Sequence, residues 1–145
     1  MSLYVFISRK PDPTMDEGQD IPESDWRALL STQPDFRMPT TEELATPSFS
    51  GGPQASEFIW QRKDGEDAWF SFCSGQVEVK SADPPIIARM QELASSLAAR
   101  VVSETGEFFG AKGEHAGFEQ WSEFYVAPKK KPSLLSRLFS GRSGT

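Results

Sequence analysis

Apart from its carboxylates, this 145-residue chain carries few side chains able to do chemistry. It has one histidine, His115, and one cysteine, Cys73. A zinc site takes about four nitrogen or sulfur ligands, so this pair makes no metal centre. A nucleophilic thiol needs an accessible, electropositive setting. Cys73 instead ends the run Trp69-Phe70-Ser71-Phe72-Cys73, where a buried thiol is inert. His115 lies among glycines and charges and reads as a solvated loop residue. The glycines Gly106, Gly110, Gly113 and Gly117 match neither the phosphate-loop spacing nor the dinucleotide fingerprint, so no cofactor is expected. Paired carboxylates can hydrolyse glycosides. With 21 acidic residues some will pair by chance, and no spacing singles out two. The residues favour a non-enzyme.

The charge itself is more informative. Residues 1–128 hold ten bases against 21 acids, a net of −11, whereas 129–145 hold five bases and no acid. Phosphate neutralisation needs clustered Lys and Arg, so the acidic body argues against a nucleic-acid partner. It favours a basic protein partner and a faster encounter with it. The acids of the expected loops are the candidate partner-binding set: Asp12, Asp16, Glu17 and Asp20, then Glu42 and Glu43, then Asp64, Glu66 and Asp67. Taken singly, each is an ordinary solvated turn residue.

The elements that must position these groups follow from alternation and punctuation. The stretch 56–100 is the organising unit. Strands are expected at 56–62, with Phe58 and Trp60 opposite Ile59; at 68–73, with Phe70 and Phe72 opposite Trp69 and Cys73; and at 76–80, with Val77 and Val79 inward. Lys63-Asp64-Gly65-Glu66 and Ser74-Gly75 are the turns of this meander. Asp83 caps a long helix at about 84–100 with Pro84 in its first turn. Ile86, Met90, Leu93, Leu97 and Val101 supply its apolar stripe, widened by Ile87, Ala94 and Ala98.

Residues 3–8 alternate as a first strand buried on both faces, and 9–19 form a loop. Asp20 and Glu23 have capping-box spacing ahead of a short helix carrying Trp26, Leu29 and Leu30, which ends near Gln33. Residues 35–54 are largely irregular, with a single helical turn at 41–44. Residues 101–103 and 107–109 flank Glu104-Thr105-Gly106 as a hairpin, and 119–126 fit either a strand or a short helix. The fold class is therefore α+β: an antiparallel sheet of first strand, three-strand meander and C-terminal hairpin against two helices. One domain is expected over 1–128, followed by a basic, flexible tail at 129–145. The tail's Leu134, Leu135, Leu138 and Phe139 suit docking on a partner or weak contact with a membrane surface. No apolar run reaches the ~20 residues that span a bilayer.

Several of these segments together resemble a family. They are Tyr4-Val5-Phe6-Ile7, the Trp26 helix start, Ser74-Gly75-Gln76-Val77-Glu78-Val79-Lys80, Leu97-Ala98-Ala99-Arg100-Val101-Val102 and Thr105-Gly106-Glu107-Phe108-Phe109. The pattern over roughly residues 3–109 resembles small bacterial proteins often encoded near Rhs-type or type VI secretion toxins. Pro22 stands where that pattern has Thr. The resemblance implies a cytoplasmic immunity protein that blocks a cognate toxin by stoichiometric binding, the acidic surface meeting toxin Lys or Arg. Two other readings stand beside it: an adaptor or chaperone for a secreted effector, and a small carboxylate-dependent hydrolase.

Overall fold

The computed structural model describes residues 3–45, 56–63 and 65–127. The expected tail at 129–145, most of the Pro/Gly-rich part of the 35–54 segment and the turn residue Asp64 lie outside the described residues.

Alternation at the start of the chain makes β1 (Tyr4–Ser8). The meander forms as β3 (Ser56–Trp60), β4 (Ala68–Cys73) and β5 (Gln76–Lys80). β6 (Arg100–Ser103) and β7 (Glu107–Phe109) form the C-terminal hairpin. Two more strands extend the edges, β2 (Phe36–Arg37) and β8 (His115–Phe118). Among the described residues they make one eight-stranded sheet in the order β2-β3-β4-β5-β1-β6-β7-β8. Every pairing is antiparallel. β1 therefore runs through the middle, between β5 and β6.

The two-residue β4–β5 turn holds Ser74 at φ 55° and Gly75 at φ 76°, the paired positive values of a type I′ hairpin. A side chain at Gly75 would also meet the Asp20 carboxyl, so glycine fits this position best.

Three helices lie among the described residues: α1 (Glu23–Ser31), the single turn α2 (Thr41–Leu44) and α3 (Pro84–Ser96). α1 and α3 cover one face of the sheet. Their Trp26, Leu30, Ile86, Met90, Leu93 and Ala94 join Val5, Ile7, Phe58, Phe70, Phe72, Val77 and Val79 in one core. Trp26 is wholly enclosed, edge-on to Phe58 at 6.0 Å and stacked on Phe72 at 6.4 Å. Arg89 on α3 ties that helix to the sheet edge through a two-pronged contact with Asp35, at 2.9 and 3.0 Å. Burial pushes the Asp35 carboxyl upward, but Arg89 and the Trp60 indole N–H outweigh it, leaving the carboxyl below its usual range.

Four local expectations are corrected. Asp20 does not cap α1: Pro22 occupies the N-cap with no side-chain cap bond, and Glu23 is already the first helical residue. The Ile21 N–H is bound to Gly75 O at 2.8 Å instead, so the chain is still pinned to the β4–β5 turn at that point. α3 stops at Ser96 rather than about 100, because Ala98 turns left-handed at φ 50° and the Ala99 N–H closes back on Ala94 O. Val101, counted in the helical stripe, lies in β6, and Ala98 is exposed. His115 opens β8 instead of sitting in a loop, while 119–126 form turns, neither strand nor helix.

The α3 terminus carries a prediction. An alanine in the left-handed region is strained by ~1–2 kcal/mol relative to its ordinary conformations, and glycine is not. Glycine also has more freedom to lose on folding. Ala98→Gly is expected to stabilise the fold by about 0.5–1 kcal/mol, read as a rise in urea midpoint at unchanged slope.

Candidate functional site

The sheet's second face, opposite α1 and α3, is built by the residues that alternate outward. The register sets Glu57 beside Ser71, Ser71 beside Glu78 and Glu78 beside Phe6, in one row across β3, β4, β5 and β1. With one strand spacing of about 4.8 Å per step, the Glu57 and Glu78 Cα atoms lie about 10 Å apart on the same face. Glu57, Ser71 and Glu78 of this row form part of the wall of a cavity of about 620 Å³, together with Tyr4, Trp69, Lys80, the β3–β4 connection and, round the strand ends, Asp83 and Ile86 at the start of α3. The volume falls within the ~300–1,000 Å³ usual for ligand pockets.

Its electrostatics are one-sided. Glu57, Glu66, Asp67, Glu78 and Asp83 line it, against Arg62 and Lys80. Arg62 is already committed: it reaches Asp83 at 2.8 Å and lies over the Trp60 ring. Asp83 also accepts the Ile86 N–H as the α3 cap. Burial raises the Asp83 carboxyl, and these two hydrogen bonds overcome it, so it remains ionised below the usual carboxylate range.

Glu57 is the one buried acid among the described residues, 4% exposed. Its Oε2 accepts a hydrogen bond from Ser71 Oγ at 2.6 Å, and its Oε1 is enclosed without a partner. Burial pushes its carboxyl upward; the Ser71 bond works against this, and the charge of Glu78 adds to it. Burial alone pushes Glu78 upward. Elsewhere the partly buried carboxylates of Asp35, Glu43, Asp83 and Glu119 each face an arginine. Glu57 and Glu78 face none among the described residues.

The nine acids picked from sequence fall into separate groups. Glu66 and Asp67 are exposed and line the cavity. Asp12, Asp16, Glu17 and Asp20 belong to the loop beside the β4–β5 turn, where Lys10 Nζ lies 3.7 Å from Asp20. That is the far end of β4, roughly 20 Å from the β3–β4 connection for a strand of this length. Asp12 is used locally, accepting from the Thr14 backbone and hydroxyl. Glu43 is also used internally: it closes a capping box with Thr40 and grips Arg37 with both oxygens at 2.7 Å. The Arg37 guanidinium holds its carboxyl at about 2. Glu42 is exposed on α2, and Asp64 lies outside the described residues.

Sequence reasoning passed over Glu57 and Glu78. A signal was present, since each is a charge set inside a β-rich run, Ser56-Glu57-Phe58 and Val77-Glu78-Val79. Alternation puts both on the outer face, but only the register brings them into one row.

The two residues with catalytic potential are placed as follows. His115 Nδ1 meets Glu107 Oε2 at 2.5 Å across the β7–β8 pair, with its side chain half exposed. Cys73 ends β4, half-buried, its Sγ 3.6 Å from Ser74 Oγ. They share no contact, and neither lines the cavity. Among the described residues no group of three or more His, Cys, Asp or Glu is arranged to hold a metal ion. No helix of the described chain is long and apolar enough to cross a membrane. Comparison of the chain with protein-family models, curated proteins and solved structures finds no match.

Proposed function

We propose that this chain is an immunity protein that neutralises a cognate bacterial effector by binding and occluding it, with the acid-lined face of the sheet toward a basic partner. The observation that carries the reading is the cavity's charge: five carboxylates against Arg62 and Lys80, with Arg62 consumed by Asp83. A rigid sheet presents this concavity, and Glu66 and Asp67 at its rim supply exposed charge for steering. The −11 charge of residues 1–128 acts in the same direction at longer range.

The hydrolase reading gains a candidate pair in Glu57 and Glu78 but lacks a division of labour. An acid–base pair needs environments that push the two groups apart. Here burial pushes both the same way. Binding is therefore the better use of the site. The adaptor reading depends on 129–145, which lies outside the described residues.

The test is co-expression of the full chain with the effector encoded beside it. Growth arrest by the effector is expected to be relieved, with a one-to-one complex. Raising salt from about 0.05 to 0.5 M should weaken that complex at least about tenfold, since exposed charge pairs are screened. Glu66→Lys with Asp67→Lys should weaken it further, and removal of 129–145 should leave neutralisation intact. Persistent growth arrest with both proteins folded would sink the proposal. Loss of neutralisation on removing 129–145 would turn the assignment toward the adaptor.

A further inference from the structure

We infer that the Glu57–Ser71–Glu78 row is a receptor for one cationic side chain, an arginine of the bound partner, entering the cavity from the β3–β4 side. The inference rests on the binding reading above for the partner's class, and it names the group that is recognised.

Three observations converge on a cation of this shape. First, Glu57 is enclosed, lines the cavity and has one oxygen without a donor. That oxygen is enclosed, so an entering N–H donor reaches it as the Glu57 side chain turns toward the cavity, and the donor then meets an acceptor whose lack of a partner costs the free protein stability. Second, Glu78 lies on the same face two strands away, and neither carboxylate is matched by an arginine as Asp35, Glu43, Asp83 and Glu119 are. A guanidinium presents several donors in a fixed plane and can serve two acceptors at once. Third, Tyr4 is among the lining residues. Aromatic faces attract cations, and arginine stacks on them more readily than lysine does. At about 620 Å³ the cavity exceeds one side chain, so the adjoining backbone of a partner loop enters with it.

The experiment is an NMR titration of the ¹⁵N-labelled full chain with N-acetyl-arginine amide and with its neutral isostere, N-acetyl-citrulline amide. Arginine amide should give saturable shifts at Ser71, Trp69 and Glu78, with citrulline amide at least about tenfold weaker, as expected for charge-assisted hydrogen bonds. Glu57→Gln and Glu78→Gln should each reduce the arginine affinity about fivefold or more. Both variants keep the side-chain volume, and dispersed spectra verify their fold. Equal responses to the two amides, shifts confined to the 9–20 loop, no saturation by about 50 mM, or unchanged affinity in both variants would each overturn the inference.

The complex with the effector separates this inference from the functional one. If Glu57→Gln with Glu78→Gln leaves effector affinity unchanged while salt still weakens it, the arginine receptor is wrong and the immunity reading stands. If no effector is neutralised but arginine amide binds the row and the variants abolish that, the receptor stands and the immunity reading fails.

Discussion

Trp26→Ala is expected to remove about 4 kcal/mol of stability, a large share of the ~5–15 kcal/mol margin of a single domain. The indole lies fully enclosed between α1 and the sheet, against Phe58 and Phe72. Burial of a side chain of this size contributes roughly 4–6 kcal/mol at 25 cal/mol per Å². No neighbouring chain segment is free to fill the space, because Leu30, Phe70 and Ile21 are themselves enclosed. Trp26→Phe is the control. The Trp26 indole N–H has no hydrogen-bond partner, and deleting it removes a buried unmet donor. That gain offsets part of the lost volume, so the phenylalanine variant should remain within about 1 kcal/mol of the parent. Equilibrium urea unfolding of the three proteins checks the pair. A mild effect of alanine would mean that α1 contributes little to the core.

Glu57→Gln should have the opposite sign and make the protein more stable at neutral pH, by on the order of 1–2 kcal/mol. The sign follows from the direction of the shift. Burial raises the folded carboxyl above its unfolded value of about 4.3. Between those two values the folded chain holds a proton that the unfolded chain has released. Stability therefore falls as pH rises through that window, and the full penalty persists above it. Glutamine carries no charge to bury and keeps an oxygen to accept from Ser71. The gain should shrink to nothing below about pH 4. Only the difference between variant and parent isolates the effect, because Asp35, Glu43 and Asp83 shift downward and lose stability as pH falls. Urea midpoints at pH 4 and pH 7.5 check it. An equal effect at both would show that Glu57 carries no buried charge. A loss of stability at this carboxylate is what the cation receptor proposed above would cost the fold.

The layout of the sheet was readable because its cues are local. Phe58 and Trp60 against Ile59, and Phe70 and Phe72 against Trp69, gave the inner face directly. Asp83-Pro84 marked the start of α3 from the needs of a helix terminus alone. The misread places depend on tertiary partners. α3 ends at Ser96, and Ala98, a residue that favours helix, turns left-handed beyond it, as β1 draws Arg100 and the residues after it into the sheet. β8 exists because β7 offers an edge to Phe118, Gly117 and His115, and the glycine spacing hid it. The candidate site was the least readable part. Local reasoning ranked acids by exposure and chose loops. Glu57 and Glu78 matter for the opposite reason, burial without a counter-charge, which only strand register reveals.

The central position of β1 has a consequence for how the chain is made. Of the eight strands Tyr4–Ser8 is synthesised first, yet its neighbours are Gln76–Lys80 and Arg100–Ser103. At about 5–20 residues per second, the second neighbour follows the first strand by roughly 5–20 s. Until Gln76–Lys80 emerges, Val5, Phe6 and Ile7, all enclosed in the finished sheet, have no native partner on either side. The meander β3–β5 can assemble and take up β1 before β6 exists, and the other edge of β1 then stays open until Arg100–Ser103 emerges. The nascent chain therefore passes through a stage in which its apolar leading segment needs shelter from other nascent chains, and the ribosome-associated chaperones are the machinery suited to give it.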